Sequence, residues 1–321
     1  MIVLAAAMVP PADAFGQAPP PGPAQPVAPA PAAPAGPAES VYQKNTAPPA
    51  VPAADQAAQA ERIVAASLAA LGRAESISAR VRERVRVDDQ VLVGSGRYVQ
   101  SGLGEDQRYR YETAMKSDTE TFELLEVCDG LFAWSFRRLG PQAPLLERLD
   151  VRRVRDRMHQ LQPDADATVS QYLGGLQRTL ALLRVWFRFS AVEPAAIDDL
   201  PVWKVEGRWH PESLAALMPA HAKGAMQPGG ITAAELPDGV PWSVRLSIGK
   251  RDLFPFRIEW LAIPGSRPVA QREPEPIAVL ELYEVRLGEP VDAAAFVYKP
   301  ATEGLVDLTD THVRILAPLR P

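Results

Sequence analysis

The chain has 321 residues, of which 47% are apolar and 23% charged, and its formal net charge is −5. That is enough apolar material to bury a core, which excludes global disorder, and the lack of a basic excess argues against nucleic-acid binding as the main task. The single cysteine, Cys128, excludes an internal disulfide and a cysteine-based zinc cluster, and the four scattered histidines exclude an HExxH-type metal site.

Residues 1–18 open with the apolar run Ile2 to Val9, followed by two A-x-A-like cleavage candidates ending at Ala14 and Ala18. No basic n-region precedes the run, so residues 1–18 read as a truncated export signal, with the apolar start of a tail as the alternative. The run is too short to span a membrane, and Pro10-Pro11 ends it. Fourteen of the 33 prolines fall between residues 10 and 54. Residues 19–55 therefore read as a disordered, semi-rigid Pro/Ala linker ahead of a folded domain at 56–321.

Residues 56–73 carry Ile63, Val64, Leu68 and Leu71 at helical spacing, with Gly72 near the end. The period then changes to two. In ISARVRERVRVDD, Ala79, Val81, Val85 and Val87 point one way and Arg80, Arg82, Arg84 and Arg86 the other, the pattern of a strand with one wet face. Asp88-Asp89-Gln90 turns the chain into VLVGSGRYVQS, whose Gly94 and Gly96 predict a bulge or a close backbone approach. QRYRYETAM is a third strand. TFELLEVC and LFAWSFRR flank Asp129-Gly130, a strong hairpin signal that places Cys128 at a strand end as a small buried hydrophobe. Asp150 caps a helix over VRRVRDRMHQL. The stripe Val169, Tyr172, Leu173, Leu176, Leu180, Leu183 and Phe187 predicts one amphipathic helix of about five turns. Strands resume at WFRFSAV, PVWKVEGRW, PWSVRLSIG, LFPFRIEWLA and PIAVLELYEVRL, with a short helix PESLAALM after Trp209. Residues 218–241 and 264–276 read as loops. These patterns predict an α+β fold: a curved, open antiparallel sheet of about nine to eleven strands with four or five helices on its concave face.

Motifs for catalysis are absent from the sequence. There is no GxSxG elbow, P-loop, dinucleotide GxGxxG or CxxC, and the acidic pairs Asp164/Asp166 and Asp198-Asp199 read as solvated loop carboxylates. Asp307, Thr309, Asp310 and Thr311 suit a helix cap better than a calcium loop. No cofactor or metal is expected, and the chain does not read as an enzyme. The arginine ladder has two readings: contacts to an anionic surface, or pairing across the sheet with acids such as Glu112 or Glu123.

Aromatic residues recur in rows on strands. Phe132, Trp134 and Phe136 form one row; Phe254, Phe256, Ile258 and Trp260 a second; Val240, Trp242, Val244, Leu246 and Ile248 a third. A sheet curling around such rows encloses either a packed core or an apolar cavity.

Two places resemble a known family. The hairpin Asp129-Gly130, followed by Trp134 and Phe136, resembles the "DG…W.Y" hairpin of the LolA-like family of periplasmic lipoprotein carriers. Phe296-Val297-Tyr298-Lys299-Pro300, with Gly304 after it, resembles that family's closing "F.F.PP.G" signature. The opening helix and strand fit as well. The resemblance implies a half-open antiparallel barrel lidded by helices, an exported protein of the bacterial envelope, and an apolar interior that holds a lipid or a lipoprotein's acyl chains. Phe132, Trp134, Phe136, Trp242, Phe256 and Trp260 are the expected lining, each buried acyl CH₂ contributing about 0.8 kcal/mol. The chain departs from the carriers in its linker, its larger helical segment and its extra Gly/Pro loop, and no residue matches the carriers' lid arginine. The alternative is an envelope sensor with a filled core that binds a protein partner through a strand edge or the arginine ladder.

Overall fold

The computed structural model describes residues 53–87, 90–117, 120–161, 169–227, 230–263, 273–301 and 303–316. The expected export signal, most of the expected Pro/Ala linker, Asp164 and Asp166, and most of the expected 264–276 loop lie outside them.

The described chain folds around one sheet. Helix α1 (Ala53–Arg73) leads into β1 (Ser76–Val87), β2 (Gln90–Ser101), β3 (Arg108–Lys116), β4 (Thr121–Cys128), β5 (Phe132–Leu139) and β6 (Leu145–Asp150). Helices α2 (Val151–Leu161), α3 (Ser170–Leu173) and α4 (Gly175–Trp186) follow. The second half comprises β7 (Phe187–Ile197), β8 (Leu200–Trp209), α5 (Pro211–Leu217), α6 (Ala222–Ala225), β9 (Ser243–Gly249), β10 (Pro255–Ala262), β11 (Glu275–Leu287), β12 (Leu305–Asp307) and α7 (Thr309–Ile315). The twelve strands lie in the order β12-β6-β5-β4-β3-β2-β1-β11-β10-β9-β8-β7. Neighbours are antiparallel except β12, which runs parallel to β6. The sheet is open and curved, and β1 and β11 join its two halves through a long antiparallel ladder. This is the architecture the sequence predicts, with twelve strands among the described residues against about nine to eleven expected, and seven α-helices against four or five. β6 and β12 were not expected, because LLERLD and LVD are too short and too polar to carry a clear period of two.

Alternation decides which side of the sheet is covered. Along β1, Ala79, Val81, Glu83 and Val85 are buried while Arg80, Arg82, Arg84 and Arg86 are exposed. The ladders carry the buried parity outward to Leu92 and Tyr98 on β2, Tyr109, Tyr111 and Met115 on β3, and Leu280 and Leu282 on β11. Helices α1 and α4 pack on this concave face, against β7 and β3. One continuous cluster of buried side chains links them to the sheet. Burial of this apolar row, at roughly 25 cal/mol per Å², is the main term holding the layers together.

Glycines allow the closest backbone approaches. A Cβ on Gly96 would meet the Glu112 carbonyl oxygen at 1.8 Å, and one on Gly94 would meet Met115 at 2.2 Å. The expected close approach is therefore real. The predicted five-turn helix is broken instead at Gly174-Gly175, between α3 and α4. Gly175 has φ +67°, and a Cβ on Gly174 would meet the Tyr109 hydroxyl at 2.4 Å. Only glycine can turn the chain there without striking β3.

Gly96→Ala should destabilise the fold by at least about 1–3 kcal/mol, since the added methyl meets backbone that cannot rotate away. A lowered urea midpoint with an unchanged m-value is the expected result.

Candidate functional site

The hairpin forms as predicted. The Asp129 carboxylate accepts from the Leu131 and Phe132 amides at 2.8 Å each, and Gly130 takes φ +95°. Cys128 ends β4 fully buried, and burial pushes its thiol up to about 12. The consequence for the next strand is a correction. Cys128 pairs with Ala133 and Glu126 with Ser135, so Ala133, Ser135, Arg137 and Leu139 face the helices. Phe132, Trp134 and Phe136 therefore lie on the opposite, convex face. A hairpin with this turn fixes the register, and the side-chain period of two sends the whole aromatic row outward.

On that convex face the two sequence signatures meet. Trp134 packs edge-on against Tyr298 at 6.0 Å between ring centroids and against Phe132 at 5.8 Å. Arg148 lies over the Phe132 ring at 4.7 Å and is paired to Asp307 at 2.6 Å. Phe296 is buried, and Val127, Leu146 and Val99 are buried on the same side of the sheet. Tyr298 thus joins Trp134 in a small outer layer, with Pro300 following it, while Asp129 and Gly130 form the turn that leads into β5. The turn that ends at Phe296 packs against β3, and Tyr298 carries the segment on to Trp134 of β5.

The remaining expected lining residues divide. Trp260 is 3% exposed inside the concave cluster, and Phe256 is half-buried against it beside Phe254, at 5.1 Å. Trp242 precedes β9, is half-buried, and stacks beneath the Arg208 guanidinium at 4.5 Å. Only Phe256 and Trp260 of the six belong to the concave cluster.

The concave interior also holds polar groups that pattern reading passed over. Glu83 is fully buried in the apolar row of β1 and accepts hydrogen bonds from the Tyr111 hydroxyl and, at 3.3 Å, from Thr113. Burial, and then Glu83, drives the Tyr111 phenol well above its ordinary range. The Tyr98 hydroxyl donates to Gln100, which donates in turn to the Leu71 carbonyl at the end of α1 at 2.8 Å. Gln177 of α4 donates to Gln100 at 3.2 Å and to Gln107 at 2.6 Å. Glu126 accepts the Gly175 amide at 2.7 Å; burial raises its carboxyl, while that amide and Arg178 pull it back. His312 of α7 is pushed down to about 4, first by burial and then by Arg178. The one legible signal was parity: Glu83 sits at an inward position of ISARVRERVRV. These groups tie the helix layer to the sheet. A buried carboxylate with two hydroxyl partners is a poor floor for an acyl chain.

The ladder arginines are exposed on the convex face and pair mainly with β11. Arg82 meets Glu281 at 3.2 Å, Arg86 meets Glu275 at 3.4 Å, and Arg80 lies 3.8 Å from Glu284. Cross-strand pairing was expected in kind, but its partners differ: Glu112 takes Arg97 and Arg110, and Glu123 takes Arg138. No group of three or more metal-ligating side chains occurs among the described residues. No helix among them is long and apolar enough to cross a membrane.

No protein-family model and no curated protein sequence matches the chain. Solved structures with a related arrangement include a LolA superfamily protein from Nitrosomonas europaea, at 11% identity over 74% of this chain and 97% of that one, with a TM-score of 0.27. MucB, in the Pseudomonas aeruginosa MucA/MucB complex, matches at 8% identity and a TM-score of 0.36, over 75% of this chain and 61% of that one. The Mycobacterium tuberculosis lipoprotein LppX matches at 12% identity and a TM-score of 0.28, over 74% and 98% of the two chains. At these scores the likenesses assign this chain no ligand and no partner. The fold is LolA-like in its own elements: an opening helix, an open antiparallel sheet, and helices packed over one face.

Between pH 6.5 and about 4 the unfolded chain takes up a proton at His312 that the folded chain does not. Folding stability should therefore fall as pH drops through that window, by on the order of 2–3 kcal/mol from this group. His312→Gln should flatten that part of the profile, read as unfolding free energy against pH.

Proposed function

We propose that the chain is a non-catalytic binding domain of the bacterial cell envelope that recognises a protein partner through the convex, arginine-bearing face of β1. The observation that carries this reading is the contrast between the two faces. The concave side is filled by one cluster in which Trp260, Phe254 and Ile258 are at most 3% exposed, and it contains the buried Glu83. The convex side presents four exposed arginines at every second residue of β1. A face of this kind supplies charge complementarity and register to a partner.

The rival reading places a lipid or lipoprotein acyl chain in the concave interior. It needs α1 and α4 to lift from the sheet and the Gln100, Gln177 and Glu126 hydrogen bonds to break. Phe256, Trp260 and their apolar neighbours would then receive the chain. Phe132, Trp134 and Phe136 would not, because their row is on the other face.

The test begins with the purified full chain, extracted with organic solvent and examined for lipid by mass spectrometry. Little bound lipid is expected. Stoichiometric acyl lipid would overturn the convex-face reading in favour of carriage. In parallel, the paired change Arg82→Glu and Arg84→Glu should remove a partner captured from envelope extracts by the wild-type chain while leaving the melting temperature unchanged. An identical captured set from both proteins would sink the reading.

A further inference from the structure

On the convex face the cross-strand ladders place opposite charges side by side. Arg82 and Arg257 both oppose Glu281, and Arg245 opposes both Glu206 and Glu259. Arg86 is paired with Glu275, and Arg80 lies beside Glu284. Arg84 breaks the pattern. Its cross-strand neighbours are Val93 on β2 and Val279 on β11, and no carboxylate among the described residues pairs with it.

The same place holds a depression of about 200 Å³ lined by Arg84, Arg86, Arg257, Val91, Ile277 and Val279. Two of its flanking valines are unusually open for this sheet: Val91 is 59% and Val93 54% exposed. The Nε of Arg257 is buried there without a hydrogen-bond partner. A surplus guanidinium and one exposed aliphatic side chain, Val91, therefore meet at one small hollow.

We infer that this hollow binds an acidic residue flanked by aliphatic ones in an extended peptide segment of a protein partner. The inference rests on the convex-face reading and names its site and ligand class. Arg84 supplies the charge-assisted contact to the carboxylate, and Val91 covers the neighbouring aliphatic group. Same-face residues on β1 recur about every 6.6 Å, the spacing at which an extended peptide presents alternate side chains. A membrane surface fits less well. Binding to anionic lipid draws on clusters of four to eight basic residues, and here Glu275, Glu281, Glu284 and Glu259 neutralise all but one of the neighbouring cations.

The experiment uses the full chain and a fluorophore-labelled library of extended heptapeptides alternating Glu or Asp with Val, Leu or Ile, read by fluorescence anisotropy. Saturable binding is expected, and Arg84→Gln should weaken it by at least about tenfold, as loss of a charged hydrogen bond would. Replacing the peptide's acids by their amides should do the same, and Val91→Ser should weaken it less. Arg188→Gln, an exposed arginine on β7, should change nothing. Binding that is equal for the wild type and Arg84→Gln overturns the inference. So does binding to phosphatidylglycerol vesicles that Arg84→Gln abolishes in the absence of peptide binding. If no peptide binds yet the Arg82/Arg84 charge reversal still costs partner capture, this site fails and the convex-face reading stands. If both tests fail, both are wrong.

Discussion

The alternation of side chains along β1 is the constraint on which the rest of the structure depends. β1 sits at the centre of the twelve-stranded order, paired to β2 on one side and β11 on the other. Each ladder transmits its parity without slipping a face, so Val81 and Glu83 define an inner side for the whole sheet and the arginines define the outer one. Even the irregularity between Ser78 and Arg80, where Glu284 takes a positive φ, keeps the buried row buried. A one-residue shift would place four guanidinium groups in the core, and that cost fixes the register.

Given that parity, helix placement follows. The inner face is apolar enough to demand a cover, and α1 and α4 provide it. The cover is also hydrogen-bonded at defined points. Gln100 reaches the end of α1, Gln177 reaches back from α4, and Glu126 accepts the first amide of α4. Glu61 of α1 accepts the Phe189 amide at 2.8 Å, which occupies a donor near the start of the terminal strand β7. Matched polar groups buried this deeply favour one arrangement of the helix layer over its alternatives. That specificity suits a rigid scaffold presenting a surface. It is a poor match to an interior that must open and close around a flexible chain.

The outer face has two unlike regions. Around β3 and β5, Tyr298 packs on Trp134, the turn ending at Phe296 packs on β3, and Arg148 lies over Phe132. The two stretches that resemble LolA-like signatures therefore do one structural job together, although 165 residues separate Phe296 from Leu131 in the chain. Around β1 and β11 Val91 and Val93 are exposed, and among the described residues Arg84 has no paired carboxylate while Arg80, Arg82 and Arg86 each have one. The contrast between the aromatic patch and the open mixed patch on one sheet face is the basis of the proposed binding surface.

The sequence by itself did not show β6, β12 or the short helix α6 inside the expected 218–241 loop, but it made legible ten of the twelve strands, the Asp-Gly hairpin, the wet face of β1 and the burial of Cys128. Those are local properties: periods of two or 3.6, turn residues, and the side of a strand on which charge accumulates. It also carried the break at Gly174-Gly175, which a stripe of apolar residues on both sides concealed. Only the tertiary structure decided which face each aromatic row occupies. The period of two is symmetric between faces, and the turn geometry at Asp129-Gly130, not the hydrophobicity of Phe132, Trp134 and Phe136, chose for β5. It likewise decided that Arg84 lies between two valines with no carboxylate paired to it among the described residues, because a residue's cross-strand neighbours come from chain segments up to about two hundred positions away and no local pattern encodes them.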